Sequence, residues 1–546
     1  MGASSKAIEQ ISRTDQRYDA WIAIALLAAG TFLRVLLAAR TFLNPDEALH
    51  YFIAASPTFP QTYTASLTTA HPPLMFLLLH WWIKIGSSEF ILRLPFVVAG
   101  ILFAYLMFLW VDRVAGRNAA LMALSLCLLS PSLVTLSAEA RQYSLMLLFC
   151  GASLYYIERA FQEDSWRFML FSALALWLAL LTHYSALIFT AAAGLYGLVR
   201  LWQRRFSGGV KRLWLFGQAG ALAIGGVLFK TQVSRLHQSG LPSEIASTWL
   251  RDSIFHPGED RFLSFALGKT VRLFRYFVSH GTIGVLALFL FLFAAILLFA
   301  RRANNVSTNS SRSLALLLVT PFAIALATAV VGLYPYGGTR HDVVLIVFAI
   351  PGIAIGIDLI RFKDFRLGRI KILLLVTFLV ICNLFPAPSG PFIRPRNREK
   401  QLMTQAVALL QSQPSDSIVV TDYQGGLVLG YYLCGKTTGL PFGPTPRALV
   451  QQRCANHEML TLTGSQGGFE RHELPGVMEQ AWKTVPSTTS TLSLFQTGWI
   501  EDEQAKWLAE LHQVGCREVW QFGPNIRICG CERSPPENDP QKVSPA

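Results

Sequence analysis

Leu74-Met-Phe-Leu-Leu-Leu-His-Trp-Trp-Ile-Lys-Ile85 decides how this chain is threaded. Read as a membrane span, it reverses the sidedness of every segment after it; read as a helix lying at a surface, it leaves them in place. Crossing a hydrocarbon core takes about 20 apolar residues. This stretch is shorter and carries His80, Trp81, Trp82 and Lys84, the composition of an interfacial helix. Charge settles the choice. With 74–85 at the surface, spans are predicted at 21–39, 91–111, 119–136, 143–157, 168–182, 185–199, 213–229, 281–300, 313–333, 343–360 and 372–386, about eleven in all. The loops then placed inside hold Arg159/Arg167, Arg200/Arg204/Arg205/Lys211/Arg212, Arg301/Arg302/Arg312 and Arg361/Lys363/Arg366/Arg369/Lys371. Lys and Arg concentrate in cytoplasmic loops, and the alternative reading would put all of these outside.

Composition agrees with a membrane protein. The 546 residues are 52% hydrophobic and 15% charged, with mean hydropathy +0.40, well beyond a soluble domain. The net charge of +14 suggests nucleic acid, but residues 1–388 hold 33 Lys/Arg against 18 Asp/Glu and residues 389–546 hold 14 against 15. The excess therefore lies in the membrane part, where it sets orientation, and no nucleic-acid partner is implied. Residues 1–20 read as a cytoplasmic segment, and 21–39 as an uncleaved anchor. Arg34, near the outer end of that anchor, is expected to snorkel to the surface. The fold class is a polytopic α-helical membrane protein, spanning residues 21–390, with a C-terminal soluble α/β domain at 391–533 and a disordered tail at 534–546.

Past Pro386-Ala-Pro-Ser-Gly-Pro391 the composition changes. Ser417–Asp422 reads as a buried strand, Gly426–Leu433 and Glu503–Val514 as helices, and Glu518–Phe522 with Asn525–Cys529 as a hairpin. Five of the eight cysteines fall from Cys434 onward. They predict at least one disulfide, Cys434 with Cys454 or Cys516 with Cys529 or Cys531, if this domain sits in an oxidising compartment.

The outside receives the loops 40–90 and 230–280, Ser137–Tyr143, Thr182–Tyr184 and Tyr334–His341, and with them most of the chemically capable residues. The first loop opens with Thr41-Phe-Leu-Asn-Pro-Asp-Glu-Ala-Leu-His-Tyr51. Asn44, Pro45 and Glu47 satisfy the pattern of a capped helix start. Capping does not need both Asp46 and Glu47, nor His50 and Tyr51 one turn on. On the same face lie His71, Glu139, Arg141, Tyr143, His183, Tyr184, Arg340 and His341. Carboxylates serve as a general base or hold a divalent metal, for which Asp46, Glu47 and Glu139 are the candidates. Arg and His hold phosphate. Bland readings compete: Arg141 pairs with Glu139, Arg340 snorkels, and Tyr51, Tyr143 and Tyr184 belong to an interfacial belt.

The order Asn44-Pro-Asp-Glu-(x)2-His-Tyr51, His71-Pro-Pro73, Ser88-Glu-Phe-Ile-Leu-Arg-Leu-Pro95, Ala138-Glu-Ala-Arg-Gln-Tyr-Ser144, Thr182-His-Tyr184 and Tyr334-Pro-Tyr-(x)3-Arg340 resembles bacterial membrane glycosyltransferases of the GT-C fold. These include the protein O-mannosyltransferase-like and lipid A aminoarabinose transferase-like enzymes. The resemblance implies a polyprenyl-phosphate-linked monosaccharide as donor, transferred with inversion to an acceptor hydroxyl of a lipid, protein or polysaccharide. It implies the outer face of a bacterial inner membrane as the place of reaction. Asp46 matches the expected base, with Glu47 and Glu139 as further acids. Arg340, His341, Arg141 and His71 are the expected donor-phosphate ligands, with His50, Tyr51, Tyr143, His183 and Tyr184 as other site residues. The aminoarabinose enzymes carry Asp and Lys where this chain has Glu139 and His71. A transporter or flippase of lipid-linked sugars would place ionisable residues mid-membrane; that class and a glycan polymerase are the alternatives.

Overall fold

A computed structural model of the chain describes residues 2–238, 250–301, 311–360, 366–384, 398–414, 417–442, 445–454, 457–464, 473–497 and 504–533. The Pro386–Pro391 junction, the tail from Ser534, and Arg302, Arg361 and Lys363 lie outside the described residues. The chain divides into two units, one of residues 1–39 and 54–392, the other of residues 40–53 and 393–546.

Among its described residues the first unit is built of helices and their connecting loops. The described parts of the eleven segments picked out by hydropathy are mainly helical, with 119–136 divided between Arg117–Leu129 and Pro131–Ser137. Among the described residues seven helices are long and apolar enough to cross a membrane, or eight if the bent pair Arg117–Leu129 and Pro131–Ser137 counts as one span. Trp166–Thr182 and Ile370–Cys382 are apolar but shorter. The chain is thus a multi-pass membrane protein. Leu74–Trp82 forms a helix of 9 residues, about 14 Å at about 1.5 Å per residue, far too short to cross. It does not merely rest on a surface, because His80 turns inward: its Nδ1 lies 2.8 Å from the Ala54 carbonyl and 3.0 Å from Thr62 Oγ1. Trp81 stays exposed, with the Lys84 ammonium 3.6 Å from its ring centroid.

Arg34 corrects the snorkelling expectation. It is 1% exposed and points into the protein, donating from Nη1 to the carbonyls of Leu128 (2.7 Å) and Gly30 (3.0 Å) and from Nη2 to Cys127 (2.9 Å). The reason lies at the break between the two bent helices, which meet at 57°. Pro131 has no N–H to offer the Cys127 carbonyl four residues back, so that carbonyl and its neighbour would be stranded in an apolar interior. The guanidinium satisfies both. Arg93, fully buried in the helix Glu89–Ala115, likewise donates to the Ala38 carbonyl (2.9 Å) at the end of the first helix.

The second unit is built on a six-stranded mixed sheet of order β2-β3-β1-β4-β6-β5. Its strands are β1 (Ile418–Asp422), β2 (Leu449–Cys454), β3 (His457–Leu462), β4 (Thr491–Thr497), β5 (Cys516–Gln521) and β6 (Ile526–Glu532). β1 is parallel to both β3 and β4, and all five of its residues are buried, as expected of a central parallel strand. The helices Tyr423–Tyr432 and Gln504–Gln513 and the β5–β6 hairpin stand close to where the sequence puts them. Both Cys434–Cys454 and Cys516–Cys531 are disulfides. Cys516 and Cys531 are register partners across the hairpin, whereas Cys529 is a buried free thiol.

This unit also includes the start of the first loop, which the sequence groups with the membrane part. Phe42 N–H donates to the Arg398 carbonyl (2.8 Å), and Leu43 N–H to the Tyr432 hydroxyl (2.8 Å).

Candidate active site

The helix Pro45–Ala54 starts as its sequence dictates. Asn44 Oδ1 accepts from Glu47 N–H (2.9 Å), and Glu47 Oε2 accepts from Asn44 N–H (3.0 Å), closing a capping box. The same Oε2 lies 3.4 Å from Arg398 Nη1, and Glu47 is 1% exposed. Glu47 therefore serves the helix start. Asp46, beside it in the first turn, is partly exposed. His50 is buried, and Tyr51 packs edge-on against Tyr431, ring centroids 5.2 Å apart. These four residues belong to the second unit.

In the first unit, the loop between Pro131–Ser137 and Tyr143–Glu163 carries Glu139, Arg141, Gln142 and Tyr143, all buried. The short turn after Trp166–Thr182 presents His183 and Tyr184. The three loops expected outside by charge meet here. His71 stacks on His183 at 5.8 Å, and Tyr143 packs on His183 at 5.3 Å. The Arg141 guanidinium lies 5.2 Å from the Tyr143 ring, and Gln142 Nε2 is 3.1 Å from His71 Nδ1. His183 Nδ1 accepts from the Ser185 N–H (3.1 Å), so the ring is neutral with its proton on Nε2. Burial first, and then the positive charge of Arg141, push its pKa down to about 3. His183 can thus give or take a hydrogen bond here but does not carry charge at neutral pH.

Tyr184 reaches away from that stack. Its hydroxyl donates to Gln232 Oε1 (2.6 Å), and Gln232 Nε2 donates to the carbonyls of Ser66 (3.1 Å), Thr69 (2.7 Å) and His71 (2.8 Å). Gln232 sits in the π-helical turn Phe229–Val233 and is fully buried. Such a turn is a common device for redirecting a side chain at a functional site.

The last piece is the loop before the helix Ile346–Leu359. Thr339 caps a 3-10 turn, Arg340–Leu345, and Asp342 folds back on the loop: its Oδ2 accepts from the N–H groups of Gly337 (3.1 Å), Gly338 (3.1 Å) and Thr339 (3.2 Å). Gly338 has φ +81°, and a Cβ there would lie 2.6 Å from the Arg272 carbonyl, so only glycine permits this approach. Tyr334 donates to the His341 carbonyl (3.1 Å). Tyr276, buried on the helix Phe262–Val278, has Tyr143, Arg340, Glu139 and Asp342 as its electrostatic neighbours. The first unit therefore gathers His71, Glu139, Arg141, Tyr143, His183, Arg340 and His341 around four loops and a helix. Gln142, Gln232, Tyr276, Tyr334 and Asp342 join them, although the sequence reading did not single them out. Gln142 and Tyr334 stand inside motifs quoted for other residues, and Asp342 directly follows His341; Gln232 and Tyr276 carry no local signal.

Among the described residues, no group of three or more His, Cys, Asp or Glu side chains gathers as a bound metal requires.

Residues 70–227 match the family model described as dolichyl-phosphate-mannose-protein mannosyltransferase. No curated protein matches the chain. Among solved structures it is similar to the oligosaccharyltransferase AglB from Archaeoglobus fulgidus in complex with an inhibitory peptide and a dolichol-phosphate, at 11% identity and TM-score 0.46 over 95% of this chain and 75% of that one. ArnT from Cupriavidus metallidurans bound to undecaprenyl phosphate gives 13% and 0.38 over 94% and 98%. The S. cerevisiae protein O-mannosyltransferase Pmt1-Pmt2 complex bound to the sugar donor gives 18% and 0.31 over 39% and 33%. The match spans only 62% of the A. fulgidus enzyme in its apo form. Likeness at this level transfers no residue's role. The family match contains His71, Glu139, Arg141, Tyr143, His183 and Tyr184, and it is through this stretch that the chain resembles the mannosyltransferases of the GT-C fold.

Proposed function

We propose that the chain transfers a monosaccharide from a polyprenyl-phosphate-linked donor to an acceptor hydroxyl at the outer face of a bacterial inner membrane, with inversion. The observation that carries this reading is the buried Arg141, 2% exposed, in one cluster with His183 and Tyr143, with Arg340 and Glu139 both flanking Tyr276. A buried guanidinium in a low-dielectric site is a strong partner for a phosphate whose negative charge grows as the sugar leaves. Arg340 and Arg141 would hold that phosphate, with His71, His341 and the neutral His183 as hydrogen-bonding partners.

Asp46 is the proposed base. This assignment rests on its place in the sequence motif and on the contrast with Glu47, whose Oε2 closes the capping box and faces Arg398. Asp46 would take the acceptor's proton as the hydroxyl oxygen bonds to the anomeric carbon. The bond to the donor phosphate would break with its electron pair passing to the polyprenyl phosphate. Two disulfides in the second unit support an oxidising, external location for it; a reporter active only outside the cytoplasm, fused after Arg533, should light up.

The test compares Asp46→Asn with Asn44→Ala in full-length protein given labelled polyprenyl-phosphate sugar. Loss of a general base typically costs about 10² to 10⁴ in rate, so Asp46→Asn should express and bind donor but fail to transfer. Asn44→Ala should lose about 1 kcal/mol of stability and keep most turnover. Near-normal transfer by Asp46→Asn would remove it as the base, and wild-type protein that moves donor without consuming it would replace the transferase reading with a flippase.

A further inference from the structure

The proposed function leaves the sugar itself without a recognition site. A phosphate needs cations, and Arg141 and Arg340 supply them. A sugar ring needs acceptors and donors at hydroxyl spacing, preferably charged acceptors fixed before the ligand arrives.

Asp342 fits that need. It is 1% exposed, and its Oδ2 is occupied by three backbone N–H groups and lies 3.4 Å from Thr339 Oγ1. Those bonds fix the plane of the carboxylate, yet Oδ1 is buried with no hydrogen-bond partner. The Tyr143 hydroxyl is in the same condition: the residue is fully buried and its oxygen has no partner. Both groups are electrostatic neighbours of the same two tyrosines, Tyr276 on the helix Phe262–Val278 and Tyr334 on the loop. The helix that begins at Tyr143 packs against the turn Arg340–Leu345, so this part of the first unit holds a carboxyl oxygen and a hydroxyl, both unsatisfied. Leaving either buried and unpaired is unfavourable.

The pair also selects its ligand. A carboxylate oxygen repels phosphate, so Asp342 does not belong with the arginines. It takes a hydrogen-bond donor, either a neutral hydroxyl or the ammonium of an amino sugar. We propose that Asp342 Oδ1 and the Tyr143 hydroxyl form the sugar-recognising subsite, the carboxylate accepting from one ring substituent and Tyr143 bonding a neighbouring one. This rests on the transferase reading and adds which atoms read the sugar.

The experiment measures binding to full-length protein in nanodiscs by tryptophan fluorescence. The probes are undecaprenyl phosphate and its mannosyl, glucosyl, galactosyl and aminoarabinosyl derivatives. The tightest glycosylated lipid is then compared with the bare lipid phosphate in Asp342→Asn and Tyr143→Phe. Each variant should weaken the glycosylated lipid about 10-fold or more, the scale of a lost hydrogen bond to a charged or buried group, and change the bare lipid less than about 2-fold. If Asp342→Asn disturbs the glycine loop and lowers the melting temperature, Tyr143→Phe carries the comparison alone. The aminoarabinosyl arm separates the two ligand sources: a loss for Asp342→Asn much larger there than with neutral sugars means that the carboxylate reads an ammonium.

Equal losses for both lipids, or none, would overturn the subsite while leaving the transferase reading intact; in the second case a buried water satisfies the pair. No sugar improving on the bare lipid would overturn it too. Wild-type protein binding neither kind of lipid would overturn the transferase reading and this subsite with it.

Discussion

The helix Tyr143–Glu163 carries a buried polar cluster at each end, and the two differ in how completely they are paired. At the Glu163 end, Glu158 is 2% exposed and accepts from the Tyr196 hydroxyl, from Gln162 Nε2 (3.0 Å) and from Arg200 Nη1 (3.3 Å). At the Tyr143 end, the Tyr143 hydroxyl, Gln142 Oε1 and Ser144 Oγ are buried with no partner. The helices are the same and so is the membrane. A buried polar group without a partner costs about 1 to 3 kcal/mol, so a cluster that leaves several unpaired is poor scaffolding. The fully paired end has the character of structure, and the unpaired end that of a place where a ligand completes the bonding.

That contrast breaks most sharply if the two ends respond alike to substitution. Arg340→Gln should reduce transfer by about 10² to 10³, the cost of removing one group that stabilises developing charge, with little change in melting temperature. Glu158→Gln should do the opposite. Its partner Arg200 retains 12% side-chain exposure, so the loss should fall somewhat below that of breaking a fully buried pair, at about 2 to 3 kcal/mol, while turnover per folded molecule stays near normal. Activity loss without destabilisation for Glu158→Gln would erase the distinction between the ends.

A smaller effect tests how the unpaired end meets protons. The folded protein holds His183 at about 3 against an ordinary 6.5, through burial and then through Arg141. Below pH 6.5 the unfolded chain gains a proton that the folded chain refuses. Stability is therefore full above that pH and declines as pH falls toward 3. Melting temperatures of wild type and His183→Gln, measured from pH 7.5 downward, should converge or cross as pH falls, because the variant lacks this penalty. Parallel curves would mean that His183 is hydrated rather than buried.

Much of the architecture was legible because its signals are long. The apolar runs fall mainly on helices, seven or eight of which are long enough to cross a membrane among the described residues, and the basic loops discriminate between alternative threadings. In the second unit, β1 and the β5–β6 hairpin announce themselves through apolar runs and turn residues. β2, Leu449-Val-Gln-Gln-Arg-Cys454, does not: it is an edge strand, half of it polar and most of it partly exposed. The site was legible as a set of loops, not as a set of contacts. Arg34 looks like a snorkelling cation until the Pro131 break supplies carbonyls 93 and 94 positions away in sequence. Gln232 is one more polar residue at a span's end until its amide meets carbonyls more than 160 positions earlier. Single polar residues do not encode which distant backbone they will satisfy. Glu47 carries two readings at once, since the motif that offers it as a site acid also marks it as a cap, and its carboxylate accepts from the Asn44 N–H.

Tyr184 gives the finest test of the contrast, because it lies at the unpaired end yet its own hydroxyl is paired. That hydroxyl donates to Gln232 Oε1, and Gln232 in turn fastens the Ser66–His71 backbone. If pairing rather than position separates structure from function, Tyr184→Phe should behave like a scaffold change. It would leave Gln232 Oε1 short of a donor inside the protein and cost about 1 to 2 kcal/mol, with transfer reduced only a few-fold through a looser His71. Gln232→Ala should cost more, since three carbonyls lose their donor along with the tyrosine losing its acceptor. The double variant should then cost about the same as Gln232→Ala alone, because Tyr184 has nothing left to hold. Strict additivity would show that Tyr184 acts elsewhere. A loss of transfer as large as that of Arg340→Gln, at unchanged stability, would place its hydroxyl with the ligand and make position the better guide after all.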